Sequence, residues 1–124
     1  MSLIKVKSRG TDNVSGRRNL IINGAMQVAQ RGTTLSSNGY LLDRFKVDAA
    51  GFSFTQTQQS LTSGSPYDEG FRHFLRAANT SVSSGTTDYM HMYHYIEAQN
   101  LAKSGWNYTS TASKITLSFW VRSS

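Results

Sequence analysis

The chain has 124 residues, no cysteine, 38% hydrophobic residues and a formal net charge of +6. That length holds one domain at most, and the missing cysteines exclude disulfides, thiolate metal sites and cysteine nucleophiles. The charge is concentrated: residues 1–31 carry six basic side chains against Asp12 alone, whereas the remainder is nearly neutral, with seven basic and six acidic.

A low apolar content, a single proline and abundant Ser, Thr, Gly and Asn favour short strands joined by polar turns over packed helices. The longest apolar run near the start is Leu20-Ile21-Ile22, far below the length of a membrane span. Residues 1–18 open on Ile4 and Val6 alternating with Lys5 and Lys7, then turn to Ser, Gly, Thr and Asp with no apolar face. Such a segment buries too little to order itself and is expected to become ordered by lending a strand to a neighbour. It is therefore read as an extended docking arm carrying Lys5, Lys7, Arg9, Arg17 and Arg18. It lacks the interleaved aromatics that stack on bases, and no helix-turn-helix or RNA-binding signature follows, so nucleic acid is not the expected partner.

From Asn19 the character changes. Residues 19–24 read as a short strand ending in the Asn23-Gly24 turn, because Asn-Gly tolerates positive φ. Met26, Val28 and Gln30 continue extended to Arg31-Gly32. Over 41–49, Leu41, Phe45, Val47 and Ala49 fall on one face and Arg44, Lys46 and Asp48 on the other, the period of a half-buried strand. Gly51 ends it, and Phe52, Phe54, Gln56 and Gln58 share a face of the next. A turn cluster over 60–70 leads to a strand over 71–78, with Phe71, His73, Leu75 and Ala77 opposite Arg72, Phe74 and Arg76.

A second polar loop leads to an extended stretch over 89–99. Met90, Met92, Ile96 and Ala98 line one side of it, and Tyr89, His91, Tyr93, Tyr95, Glu97 and Gln99 the other. At most one helical turn fits, over 97–103. The most strand-like stretch is 114–122, with Ile115, Leu117, Phe119 and Val121 against Thr116, Ser118 and Trp120. Six or seven strands with polar loops predict an all-β sandwich. A strongly apolar last strand wants a neighbour on each side, so the sandwich, spanning 19–124, is expected to be incomplete at its C-terminal end and to continue in a longer protein or another chain.

Two stretches carry a family resemblance. Arg17-Arg18-Asn19-Leu20-Ile21-Ile22-Asn23-Gly24-Ala25-Met26-Gln27-Val28-Ala29-Gln30-Arg31-Gly32, followed by Tyr40-Leu41-Leu42-Asp43-Arg44-Phe45, resembles an opening found in tail-fibre and other structural proteins of marine phages, cyanophages especially. Its pattern is N-L-I-x-N-G-x-M-x-x-x-Q-R-G, a spacer, and Y-x-x-D-R-[WF]. The second, from Ile96-Glu97-Ala98 through Lys114-Ile115-Thr116-Leu117-Ser118-Phe119-Trp120-Val121, is similar to the jelly-roll segment that such proteins share with carbohydrate-binding modules. The resemblance implies the N-terminal part of a jelly roll in a virion structural protein, assembled in the host cytoplasm. It also implies docking on other phage tail proteins, support of host attachment, and self-association as a trimer. Alternatives are a carbohydrate-binding module contacting host glycan directly, or a capsid decoration protein.

Residue chemistry points away from an enzyme and requires no cofactor. No serine sits in G-x-S-x-G or S-x-x-K, and the seven carboxylates are scattered, so no acid/base pair can be named. His91 and His94, three apart on a strand, face opposite ways, which disfavours a metal. The aromatics are the functional candidates: Tyr89 and Tyr93 on one strand face, Trp120 on the same side of the sandwich, and Trp106 and Tyr108 in a loop. Flat rings beside hydrogen-bonding groups suit a sugar. The plainer role is packing between sheets or subunits, with each hydroxyl satisfied.

Overall fold

The structure, a computed structural model, describes residues 19–82 and 85–123. The basic residues Lys5, Lys7, Arg9, Arg17 and Arg18 of the expected docking arm lie outside the described residues. The chain divides into two compact units, one made by residues 22–95 and the other containing 96–124.

The first unit is all-β. Its strands are β1 (Thr34–Leu35), β2 (Gly39–Tyr40), β3 (Phe45–Ala50), β4 (Phe54–Ser60), β5 (His73–Asn79) and β6 (Tyr89–His94), with one helical turn, α1 (Ser65–Asp68), in the β4–β5 connection. They form two antiparallel three-stranded sheets, ordered β1-β4-β5 and β2-β3-β6. The chain thus crosses between sheets at 36–38, at 51–53 and again between β5 and β6.

The two sheets meet through their apolar faces. Phe45, Val47 and Ala49 alternate inward from β3, and Phe54 and Gln56 from β4. Val47, Ala49 and Phe54 form one cluster, against which Phe52, Leu75 and Met90 pack. Burying such a side chain contributes about 1.5–3 kcal/mol, and the buried apolar set among the described residues is short: Leu41, Leu42, Phe45, Val47, Ala49 and Phe54. Gln56 is also fully buried, and its Nε2 donates to the Ser37 carbonyl at 2.7 Å, which ties the first crossing to β4. The crossing at Gly51 requires glycine twice over. Its φ is +89°, and a Cβ there would collide with the Asp88 carboxylate.

Side-chain amides replace backbone pairing where strands run out. Asn38 donates Nδ2 to the Ala49 carbonyl (3.0 Å) and accepts the Ala49 N–H (2.9 Å), extending the β2–β3 ladder past Gly39. Asn23 does the same for the 19–32 stretch, which is not a strand. Residues 22–25 form a turn, with positive φ at Asn23 (59°) and Met26 (56°). Asn23 accepts the Val28 N–H and donates to the Val28 and Asp43 carbonyls at 3.0, 2.9 and 3.0 Å. Asn and Asp compete with regular structure in this way because a short polar side chain reaches nearby backbone. Gly32 takes the glycine-type backbone expected of it, at φ +114°, although a turn and not a strand precedes it.

The second unit differs most from the pattern in its residues. The extended stretch ends at His94, and α2 (Ala98–Ser104) follows, closed by Gly105 in the left-handed conformation at φ +78°. Ala98, Gln99, Leu101 and Ala102 favour helix intrinsically, and a glycine at that position is the usual stop. Residues 114–122 form no strand. Ile115, Leu117, Phe119, Trp120 and Val121 are each more than half exposed. Alternation gives a segment a face to bury, but a strand exists only when another strand satisfies its backbone.

Candidate functional site

The outer face of the β2-β3-β6 sheet gathers the aromatic and charged side chains. Its register places Tyr40 opposite Lys46, and Lys46 opposite Tyr93. Directly opposite residues share a face, so the three form one row across the sheet. In the next row Asp48 stands opposite His91, and beyond it Ala50 opposite Tyr89.

Along β6 the rings interact in sequence. Tyr89 stacks on His91 with centroids 4.6 Å apart and planes 23° from parallel. His91 meets Tyr93 edge-on at 5.8 Å, and its Nδ1 lies 2.9 Å from the Tyr93 hydroxyl. Tyr93 in turn stacks with Tyr95, 6.1 Å and 13°. Residues two apart on a strand are separated along the strand, so rings that stack on each other stand across it. Tyr89 and His91 turn their faces to one another, as do Tyr93 and Tyr95, whereas His91 and Tyr93 meet edge to face with the imidazole nitrogen and the hydroxyl paired. The stacked rings cover one another's faces, so β6 does not offer an open platform of ring faces.

Two cations flank this face. The Lys46 Nζ lies 5.9 Å from the Tyr93 ring centroid, and the Arg31 guanidinium carbon 5.5 Å from that of Tyr40. Both are within the range at which a cation is attracted to a ring. On the inner face Phe45 packs edge-on to His94 at 4.9 Å, and His94 Nε2 lies 3.0 Å from the Ile22 carbonyl. That occupies His94 structurally. No group of three or more metal-ligating side chains occurs among the described residues.

The five candidate aromatics are only partly assembled. Tyr89 and Tyr93 share a face, as their spacing predicts, and both remain accessible, Tyr89 at 38% exposure. Trp106 and Tyr108 lie 6.4 Å apart and tilted in the second unit, with Tyr108 exposed and Trp106 half-buried. Trp120 lies in the exposed 114–122 stretch, not on a strand. Sequence reasoning overlooked Arg31, Tyr40 and Lys46, since what unites them with Tyr93 is cross-strand register and a loop contact, neither of which is written in local spacing.

Residues 23–45 of the first pattern are linked by a set of hydrogen bonds. The Asn23 amide reaches the Asp43 carbonyl, the Asp43 N–H donates to the Val28 carbonyl at 3.2 Å, and the Asp43 carboxylate accepts the Gln30 N–H at 3.4 Å. Met26 accepts Gln58 Nε2 at its carbonyl (2.7 Å) and the Leu75 N–H at its sulfur (2.9 Å). Arg31 lies over Tyr40, Arg44 holds a φ of 75°, and Phe45 enters the core. No helix among the described residues is long and apolar enough to cross a membrane. The chain matches no family model, and no curated protein or solved structure matches it either.

Proposed function

We propose that this chain is a structural protein of a bacteriophage virion, of tail-fibre type, that docks on the tail through its basic N-terminal residues and supports host attachment. The observation that carries the reading is the interlocking of the two halves of the phage pattern. Asn23, Met26, Gln30 and Arg31 are joined to Tyr40, Asp43 and β4–β5 by named contacts, so the spaced pattern has the physical coherence expected of a folding signature. Two antiparallel sheets that exchange the chain repeatedly are compatible with part of a jelly roll. The small core and the exposed apolar residues at 115–121 support association with further copies, a trimer in the family's manner. No catalytic role is assigned.

Deleting residues 1–18 in the encoding phage tests the docking role. The truncated protein is expected to keep its β circular-dichroism spectrum and to be lost from purified particles. Incorporation at normal copy number overturns it. A second reading, direct contact with host surface glycan, is favoured by the Tyr89–His91–Tyr93 ring ladder on the outer sheet face, flanked by Lys46 and by Arg31 over Tyr40. Capsid decoration has no comparable structural support.

A further inference from the structure

Resting on that second reading, we infer that the row formed by Arg31, Tyr40, Lys46 and Tyr93 binds a carboxylate-bearing polysaccharide. Tyr40, Lys46 and Tyr93 are in register across three strands, so their spacing is fixed by the sheet, and the row spans about 10 Å, two interstrand distances. Its charged groups, an ammonium and a guanidinium, are both donors, and the Tyr40 hydroxyl lies beside them, while the Tyr93 hydroxyl is engaged with His91 Nδ1. A ligand answering them is rich in acceptors and carries negative charge.

The placement of the cations agrees with this. An arginine held over a ring keeps its N–H edge available, and that fork matches a carboxylate bidentately. Lysine supplies a point charge beside the second ring. Of the carboxylates nearby, Asp43 is turned to the Gln30 N–H and Asp48 belongs to the next row, opposite His91. The row itself holds no acidic group. An open sheet face offers a small ligand little enclosure, whereas a polymer repeats its charge along the row and gains from each repeat. Arg31 and Lys46 give the row a local positive charge that favours the approach of a polyanion.

Affinity gel electrophoresis of the full chain in about 0.15 M salt, where long-range attraction is screened beyond a Debye length, separates the outcomes. Polygalacturonate is the charged probe and dextran the neutral one. Polygalacturonate is expected to retard the chain and dextran to leave it unaffected. The Arg31→Gln/Lys46→Gln variant should bind polygalacturonate about tenfold more weakly, as befits loss of charge-assisted hydrogen bonds. The charge-matched Arg76→Gln/Lys114→Gln variant, changed on exposed residues elsewhere, should stay within about twofold, the residual of screened non-contact charges. Equal binding of dextran overturns the carboxylate inference and leaves the glycan reading standing; binding to neither overturns both. Equal weakening by the two double variants, or none in the first, overturns the site. Thermal melting confirms that each variant is folded, with Lys46→Gln alone, on the outer face, as the second variant.

Discussion

Two stretches alternate apolar and polar side chains with a period of two, Phe45–Ala50 and 114–122, and they fold differently. In the first, β2 and β6 flank the strand on both edges, and Phe45, Val47 and Ala49 are 7%, 2% and 8% exposed. In the second no strand forms, and Leu117 and Phe119 are 64% and 73% exposed. The apolar payload is comparable. What differs is whether neighbouring backbone satisfies the strand's hydrogen bonds, because an unpaired extended segment leaves its amides to water and gains nothing from its face. Alternation is a capacity, and pairing is what realises it.

Substitution energies sharpen this contrast, the largest first. Phe45→Ala removes a ring packed in the core and against His94 and should cost about 3–5 kcal/mol. In a unit with so few buried side chains that is expected to abolish the cooperative urea transition. A transition that survives nearly unshifted would mean the ring is not packed as described.

Asn23→Ala comes next. It removes the two amide contacts that close residues 23–28 on Val28 and the one that ties them to the Asp43 carbonyl, and replaces a residue suited to φ 59°. The expected loss is about 2 kcal/mol, in line with leaving partly buried backbone groups unpaired. Asn23→Gly should recover only the backbone part of that loss, so the difference between the two variants reports the positive-φ cost and what Asn23→Gly still loses reports the amide contacts. Identical melting of the two would assign the whole effect to the amide contacts, and full recovery by Asn23→Gly would assign it to backbone conformation.

Phe119→Ala should change least, within about 0.5 kcal/mol for an exposed site, when measured in dilute solution where the chain is dispersed. If 114–122 gains a partner strand on self-association, the same substitution should lower the mass-average molecular weight at high concentration in sedimentation equilibrium. A cost in dilute solution as large as that of Phe45→Ala would instead place Phe119 in a packed core and erase the distinction between the two stretches.

The sequence by itself determined the all-β character, the strands at 45–50, 54–60, 73–79 and 89–94 to within a few residues, and the shared face of Tyr89, His91 and Tyr93. Each of these follows from local alternation, which fixes side-chain direction wherever the backbone is extended. It also marked Gly32 and the Asn23 turn, since few residues tolerate positive φ. The helix over 98–104 was legible in part, as the single helical turn allowed over 97–103, because its backbone bonds and its Gly105 stop are local. Only tertiary structure decided the rest. Residues 19–24 alternate poorly but are apolar enough to suggest a strand, and the Asn23 amide instead takes the hydrogen bonds that a partner strand would have supplied. The row of Tyr40, Lys46 and Tyr93 joins residues up to 53 positions apart, and Arg31 reaches it from a turn. Register between strands is set by which faces the core accepts, a property of the packed sheets that no single segment carries.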